Sequence, residues 1–363
     1  MFLQTIDINT LFHASIPPIP MGRYVHFVVL RETHSFPLFQ TDQELNFARV
    51  SAGQAVNGKA SPISRIVMFK RKQTTPERLT GRELLRRYNF VSEDSADTDK
   101  YCEYNSANFC KHCPDCIYYG FAIGQEGSER SKVMVDSAFS LSNYDESHEA
   151  MTFNAPYEHG TMSRRGETRH SFGEQDHVLP QVYFPSVITL RDPTEAEFLY
   201  VFNNILRTKR YGAQTTRTGT LENHIAAVIF TDGEIFSNLK LTQKLYDMLE
   251  EDDEGQVKKG PYQANVLVQN IERVLPDLLQ DDHVTTHLSL TGDDLDALLE
   301  EVNALVTNEA TLVEVLQQAY TESQDYYSSY GAGAETEKKA NRGKQGKQDE
   351  KKAHNGRETE SDR

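Results

Sequence analysis

The sequence predicts an α+β fold with one sheet threaded in the order β–α–β–β–α–β. Three observations point to it. Apolar, β-branched runs alternate with two segments of helical period; the stretches between them are too polar to belong to a sheet; and a compact four-cysteine cluster interrupts the first half. With the insertions set aside, this is the ferredoxin-like split βαβ arrangement that RNA-recognition (RRM-like) folds also use.

Residues 23–31 (RYVHFVVLR) read as a central strand. Residues 32–62 are irregular, with Gly53 and Gly58 in an SAGQAVNGK loop, and residues 63–70 form a short strand. Residues 76–88 are expected to be helical, capped by Thr80 with Glu83 three positions on. Arg82, Arg86 and Arg87 then share one side of that helix. Residues 131–141 (SKVMVDSAFSL) alternate as a strand. Residues 177–190 are strand-like, with Pro180 and Pro185 marking edge positions or bulges. Residues 194–207 form a helix whose apolar side is Phe198, Tyr200, Val201, Phe202, Ile205 and Leu206; a strand follows at 224–230. Past Asp232 the chain turns helical and acidic, and Leu295, Leu298, Leu299, Val302, Leu305 and Val306 make a stripe suited to core packing.

The expected organisation is one domain over 1–330 with insertions at 89–130 and 144–176 and an acidic helical region at 233–330. Residues 331–363 lack aromatic side chains and aliphatics beyond Ala, so this tail is expected to be disordered. The 144–176 segment has no long apolar run and carries SRRGETRH; it is either a working mobile arm or disorder. The start of the chain lacks a basic region followed by a long apolar run, and no apolar stretch is long enough to span a membrane. A soluble, cytoplasmic protein with no membrane partner is expected.

The formal net charge is −16, yet residues 59–88 carry nine Lys or Arg against two Glu, a local +7. An acidic body with Arg in excess of Lys suits a salt-rich solvent. A basic island inside it needs an anionic partner, and nucleic acid is the leading candidate because each neutralised phosphate also releases counterions. The alternative is a solvated, salt-bridged helix face. A second basic element, residues 207–219 (RTKRYGAQTTRTG), joins helix to strand with two glycines and several hydroxyls. Such a turn can bring backbone N–H groups against phosphate, but it has no GK[ST] ending and precedes a strand, so it is no Walker loop.

All four cysteines, Cys102, Cys110, Cys113 and Cys116, fall in a C-x7-C-x2-C-x2-C pattern. Crowded thiols at this spacing suit a closed, structural Zn2+ site. An iron–sulfur cluster or unmetallated thiols are the alternatives; the C-P that usually follows an iron–sulfur run is absent. His112 could replace a cysteine as ligand, and is otherwise expected beside the ligands or in solvent.

ISRIVMFKRKQTTPERLTGRELLRRY from Ile63, the cysteine insertion, APYEHGTMSRRGETRH from Ala155 and RYGAQTTRTGTLENH from Arg210 together resemble the RNA-binding backbone subunits of CRISPR effector (Cascade) complexes. These belong to the RAMP superfamily, and the type I-D version is the nearest in pattern. The resemblance implies a hand-like subunit with a ferredoxin-like palm, a zinc-containing finger at the cysteines, and a thumb hairpin at 144–176. Copies polymerise as a helical filament on a guide RNA, flip bases at intervals, and present the guide to target DNA beside other effector subunits, in antiviral defence. Carried onto this chain, Gly53, Gln54, Arg65, Lys70, Arg71, Lys72, Arg82 and Arg86 would line the RNA path. Arg164, Arg165, Arg169, Arg210, Arg217 and Gly219 would join them. Cleaving relatives place an Asp before a Ser-Pro loop where this chain has Ala60, so no catalytic residue is expected. His159, His170 and His177 in or beside the thumb are expected at the surface or against bases. An endoribonuclease of the same superfamily, or a stand-alone zinc-stapled single-stranded RNA-binding protein, are the alternatives.

Overall fold

The computed structural model describes residues 1–41, 44–54, 61–124, 127–154, 163–164, 167–168, 172–249 and 259–331. Its centre is a five-stranded antiparallel sheet in the spatial order Thr286–Leu290, Leu221–Thr231, Tyr24–Thr33, Tyr183–Arg191, Val133–Val135. Numbered along the chain, the first four strands lie in the order 4-1-3-2, and Thr286–Leu290 extends the sheet beyond strand four. Tyr24–Thr33 is buried at every position but its first, because helices cover both faces of the sheet. Alternation sends Val25, Phe27 and Val29 to one face and Val28 and Leu30 to the other.

On the first face lie the basic helix Lys70–Arg87, the helix Glu195–Arg207 and the C-terminal pair Gly292–Thr307 and Glu309–Tyr330. Phe27 stacks on Phe198 and Phe202 with centroids 5.3 and 4.6 Å apart. The second face is covered by Asn238–Tyr246 and Ala264–Asp281. The acidic region past Asp232 is therefore no appendage: its helices complete both layers, and Leu295, Leu298, Val302 and Val306 are buried. It also contributes the strand Thr286–Leu290, which the sequence pattern did not predict. Among the described residues no helix is long and apolar enough to cross a membrane.

Three expected elements differ in extent. The strand at 63–70 is Pro62–Met68, and it pairs outside the main sheet with Phe47–Ser51 and Ala138–Phe139. The run at 131–141 splits, Val133–Val135 entering the main sheet and Ala138–Phe139 the side sheet. The run at 177–190 also splits: Phe172–Val178 pairs with His148–Asn154 as an antiparallel ribbon, and Tyr183–Arg191 joins the main sheet. Pro180 lies between them, next to Gln181 at φ 59°. Pro185 faces Leu30 on one side, while the short Val133–Val135 strand pairs only with positions 188–190 on the other, so no ladder bond needs a proline N–H there.

The helix Glu195–Arg207 begins as expected, with Thr194 Oγ1 accepting from the Glu197 N–H at 3.1 Å. The basic helix starts earlier than expected, at Lys70, with Pro76 inside it. Thr80 is not its cap; Thr80 Oγ1 donates to the Pro76 carbonyl at 3.1 Å. The extra turns are fixed by Gln73, whose side-chain amide donates to the Met68 and Asp136 carbonyls at 3.0 and 2.8 Å.

Candidate functional site

The basic helix is docked by buried charge. Glu77 Oε1 accepts from Arg31 Nη2 at 2.8 Å, with both side chains fully buried, and from Tyr211 Oη at 3.1 Å. Tyr211 belongs to the glycine-containing turn, so one carboxylate ties together the central strand, the basic helix and that turn. Thr208 Oγ1 meets Thr80 Oγ1 at 2.9 Å and adds a second tie. The consequence is a groove of about 1040 Å³ between the start of the helix and the turn. Lys70, Arg71 and Lys72 line one wall, and Arg207, Lys209 and Arg210 the other, with Glu83 as the one carboxylate among its lining residues. Two basic segments far apart in sequence thus meet on one surface.

Burial lowers the pKa of the Lys70 and Lys72 ammonium groups. Partly desolvated cations gathered on facing walls form a surface that an anion would stabilise. Phe69 stands at the same mouth, 44% exposed, offering an aromatic face beside the cations. Neither Phe69 nor Lys209 is singled out by the sequence motifs. An aromatic directly before KRK and a Lys next to Arg210 are the signals that could have found them.

The 144–176 insertion contributes its paired stem next to this groove. Gln175 on Phe172–Val178 accepts from the Gln214 side chain of the turn at 3.0 Å. Arg165 and Arg169 lie outside the described residues, as do the side chain of Arg164 and the residues Ala60, His159 and His170. His177 is buried at the base of the ribbon, with Nδ1 donating to the Gln175 carbonyl at 2.8 Å, rather than at the surface. Of residues 331–363 only Gly331 is described.

Several expected RNA-lining residues are corrected by their surroundings. Arg65 is fully buried; its guanidinium donates to the carbonyls of Ser140, Leu141 and Ala52 and lies over the Tyr246 ring. Arg82 is 1% exposed and committed to Asp115 and Cys102. Both are structural, since neither presents a donor surface to a ligand. Arg86 is near the other end of the basic helix, about 21–24 Å from Lys70–Lys72 at 1.5 Å per residue, and does not line the groove. Gly53 and Gln54 are also elsewhere, against the end of Asn238–Tyr246. The Gln54 N–H donates to Asp247 Oδ2 at 2.8 Å, and a Cβ on Gly53 would stand 1.6 Å from Asp247 Oδ1. Arg210 and Arg217 are exposed on the turn; Arg210 donates to the Thr218 carbonyl at 3.2 Å and Arg217 to Gln214 Oε1 at 3.4 Å.

Gly219 is buried and shapes the turn rather than facing a ligand. Its φ is +95°, its N–H donates to Ser35 Oγ at 3.1 Å, and a Cβ there would stand 2.3 Å from the Tyr211 carbonyl oxygen. Gly219→Ala is expected to cost about 1–3 kcal/mol through backbone strain and this contact. Urea unfolding checks it, and a variant as stable as the parent would refute the assignment.

The cysteines form a second centre under the basic helix. Cys102 Sγ lies 3.6 Å from Cys116 Sγ, Cys110 Sγ lies 3.8 Å from Cys116 Sγ, and all four sulfurs are within 4.8 Å of one another. Cys113 precedes the short helix Pro114–Tyr119, which presents Cys116 one turn later. Thiolates bound to one tetrahedral ion at about 2.3 Å stand about 3.8 Å apart, so four sulfurs gathered this closely could hold one metal ion. Burial pushes the Cys113 and Cys116 thiols up, so loading a metal must displace protons there. His112 is not one of the converging donors; its ring packs near Tyr320 and Tyr327. The lobe is no separate body either. Ile117, Tyr118 and Tyr119 belong to the main core, and Tyr118 Oη donates to the Ala319 carbonyl at 3.2 Å.

A family model described as "Csc2 Crispr" matches residues 11–316. None of the curated proteins matches the chain. The crystal structure of Csc2 from Thermofilum pendens is similar at 14% identity and a TM-score of 0.56, covering 88% of this chain and 94% of that one; this likeness is one of fold. Two chains from structures titled as a CRISPR RNA-guided surveillance complex, one of them in a pre-nicking state, are each 11% identical. Their TM-scores are 0.44 and 0.46, with coverage of 78% and 72% of this chain and 98% and 89% of theirs.

Proposed function

From the premise that the chain belongs to the Csc2 Crispr family, we propose that it is an RNA-binding backbone subunit of a type I-D CRISPR effector complex. It grips guide RNA without reading sequence, polymerises along it, and offers the guide for pairing with target DNA beside other effector subunits. The observation that carries this reading is the groove in which Lys70, Arg71 and Lys72 face Lys209 and Arg210. Basic side chains on both walls suit a phosphate backbone, and Phe69 at the mouth suits stacking on an unpaired base. The 4-1-3-2 strand order supports a ferredoxin-like palm. The ribbon His148–Asn154 with Phe172–Val178 supports a thumb stem beside the groove.

The cysteine cluster is a structural zinc site in this reading, supported by sulfur spacings that match the tetrahedral edge and by the lack of a fifth donor among the clustered residues. Zinc bound there would hold Pro114–Tyr119 against the basic helix and so fix the wall of the groove. The protein acts as a scaffold rather than a nuclease, since the described groove lining brings cations to the phosphates but no pair of carboxylates to activate water or hold a catalytic ion.

Binding of a single-stranded RNA of mixed sequence, followed by anisotropy against salt, tests the reading. Each phosphate left without its cation lowers the slope of log K against log salt by about 0.7. The variant Arg71→Ala/Lys72→Ala/Lys209→Ala/Arg210→Ala is expected to lose about 3 from that slope, with affinity falling alike for all sequences. An unchanged slope would remove the groove as the RNA site. Sizing the complex on RNAs of increasing length separates a growing filament from a lone binder, and specific cut products would reveal a nuclease.

A further inference from the structure

Glu32-Thr33-His34 and Glu222-Asn223-His224 repeat one E-x-H pattern on the two neighbouring strands Tyr24–Thr33 and Leu221–Thr231 and the residue just past the first. The strands are antiparallel, and the register sets Glu32 directly opposite Glu222 and Leu30 opposite His224. The period of two along each strand brings the four side chains to one face of the ladder. Like charges directly opposed across a ladder are destabilising unless something compensates them. Here His34 Nε2 sits between them, 3.4 Å from Glu32 Oε2 and 3.3 Å from Glu222 Oε2.

We propose that Glu32, His34 and Glu222 form a second metal site, one for a divalent first-row transition ion and separate from the cysteine cluster. The three donor atoms lie within 4.8 Å of one another. Oxygen and nitrogen ligands at about 2.0–2.2 Å from a tetrahedral ion stand about 3.3–3.6 Å apart; the two His34 distances already match. Two carboxylates and a neutral imidazole balance a divalent charge, and hard oxygens with one nitrogen suit Mn2+ rather than the softer, thiolate-seeking ion expected at the cysteines.

Glu32 is the anchor of the site. Its side chain is 9% exposed, against 43% for His34 and 48% for Glu222. Tyr183 Oη lies 3.1 Å from Oε1, and His224 Nε2 lies 2.8 Å from Oε2. These two partners orient the carboxylate as outer hydrogen bonds orient metal ligands elsewhere. The exposed pair His34 and Glu222 leaves the remaining coordination positions to water.

The test uses the full chain with its cysteine cluster first loaded with zinc. Mn2+ does not displace zinc from thiolates, so Mn2+ titrated at moderate salt and followed by its free-ion paramagnetic resonance signal reports the oxygen and nitrogen site alone. One Mn2+ per chain is expected, with affinity falling at least about tenfold in His34→Ala and in Glu222→Gln. Both substitutions are at exposed positions, and unchanged thermal unfolding of the metal-free variants verifies the fold. No Mn2+ bound, or binding equal in parent and variants, would overturn the site and leave a protonated His34 bridging the two carboxylates. RNA affinity is measured on the same samples, so failure here is distinguishable from failure of the groove.

Discussion

Replacing Asp115 by alanine is expected to destabilise the protein by about 3–5 kcal/mol, the cost of leaving buried charge without its partner. Asp115 is fully buried on Pro114–Tyr119 between two arginines of the basic helix. Arg78 reaches it with Nε and Nη2, both at 2.9 Å, and Arg82 with Nη1 at 2.8 Å. Burial opposes the charge on both guanidiniums, and Asp115 more than restores it, holding both above the ordinary arginine range. Arg82 continues to the cysteines, donating to the Cys102 carbonyl at 2.6 Å and lying 3.4 Å from Cys102 Sγ. A tetrathiolate holding one divalent ion carries net negative charge, so Arg82 compensates the cluster as well as Asp115. With the proposed zinc at the cysteines, the same variant is therefore expected to release the ion to a chromogenic chelator faster than the parent. Asp115→Asn keeps the shape and part of the hydrogen bonding, and should fall between. An Asp115→Ala protein within about 0.5 kcal/mol of the parent in urea would refute the buried ion network.

That network also shows where charge counting in the sequence reaches its limit. The +7 island is legible as a feature needing anions, but some of its anions are internal: Asp115 takes Arg78 and Arg82, and main-chain carbonyls take Arg65. Composition cannot tell a guanidinium pointing inward from one pointing out, because helical spacing gives a face and not its neighbour. Lys70–Lys72 and Arg210 on one shared path are legible as an expectation, and so is the cysteine set, whereas Lys209 on the facing wall is not. The order of strands and helices along the chain follows from the alternation of apolar runs and helical periods, but their order across the sheet does not. Splits within the runs 131–141 and 177–190 are not visible, since one alternating pattern serves two strands when the chain changes sheet at Asp136–Ser137 or turns at Pro180. The start of the basic helix is hidden by Pro76, whose rule as a first-turn residue fails where Gln73 fastens an earlier turn. Thr286–Leu290 is hidden by its acidic, helical surroundings.

The remaining large effect follows from a carboxyl buried on the helix Glu195–Arg207. Glu197 is the third residue of Glu195–Arg207, where a capping glutamate would reach back to the Thr194 N–H. Instead it is fully buried, and neither carboxyl oxygen has a hydrogen-bond partner among the described residues. Burial raises its pKa to about 8, with Lys132 lowering it and Glu322 and Asp192 raising it. The field of the helix start favours a negative charge by about 0.3–1 kcal/mol, too little to offset this desolvation. The folded state thus keeps a proton that the unfolded chain releases near 4.5. Stability from this group is complete below pH 4.5 and is lost as pH rises through 8, on the order of 5 kcal/mol in all at about 1.4 kcal/mol per unit. Glu197→Gln removes the titration and keeps the shape. Urea unfolding of the two proteins from pH 4 to 9 should give nearly equal stabilities at the acid end and a variant several kcal/mol more stable at the alkaline end. Other titrating groups cancel in the difference, apart from Glu322, Asp192 and Lys132, which feel Glu197 directly. Curves that run parallel across that range would mean that Glu197 is solvated or paired in solution, and the enclosed carboxyl would have to be abandoned.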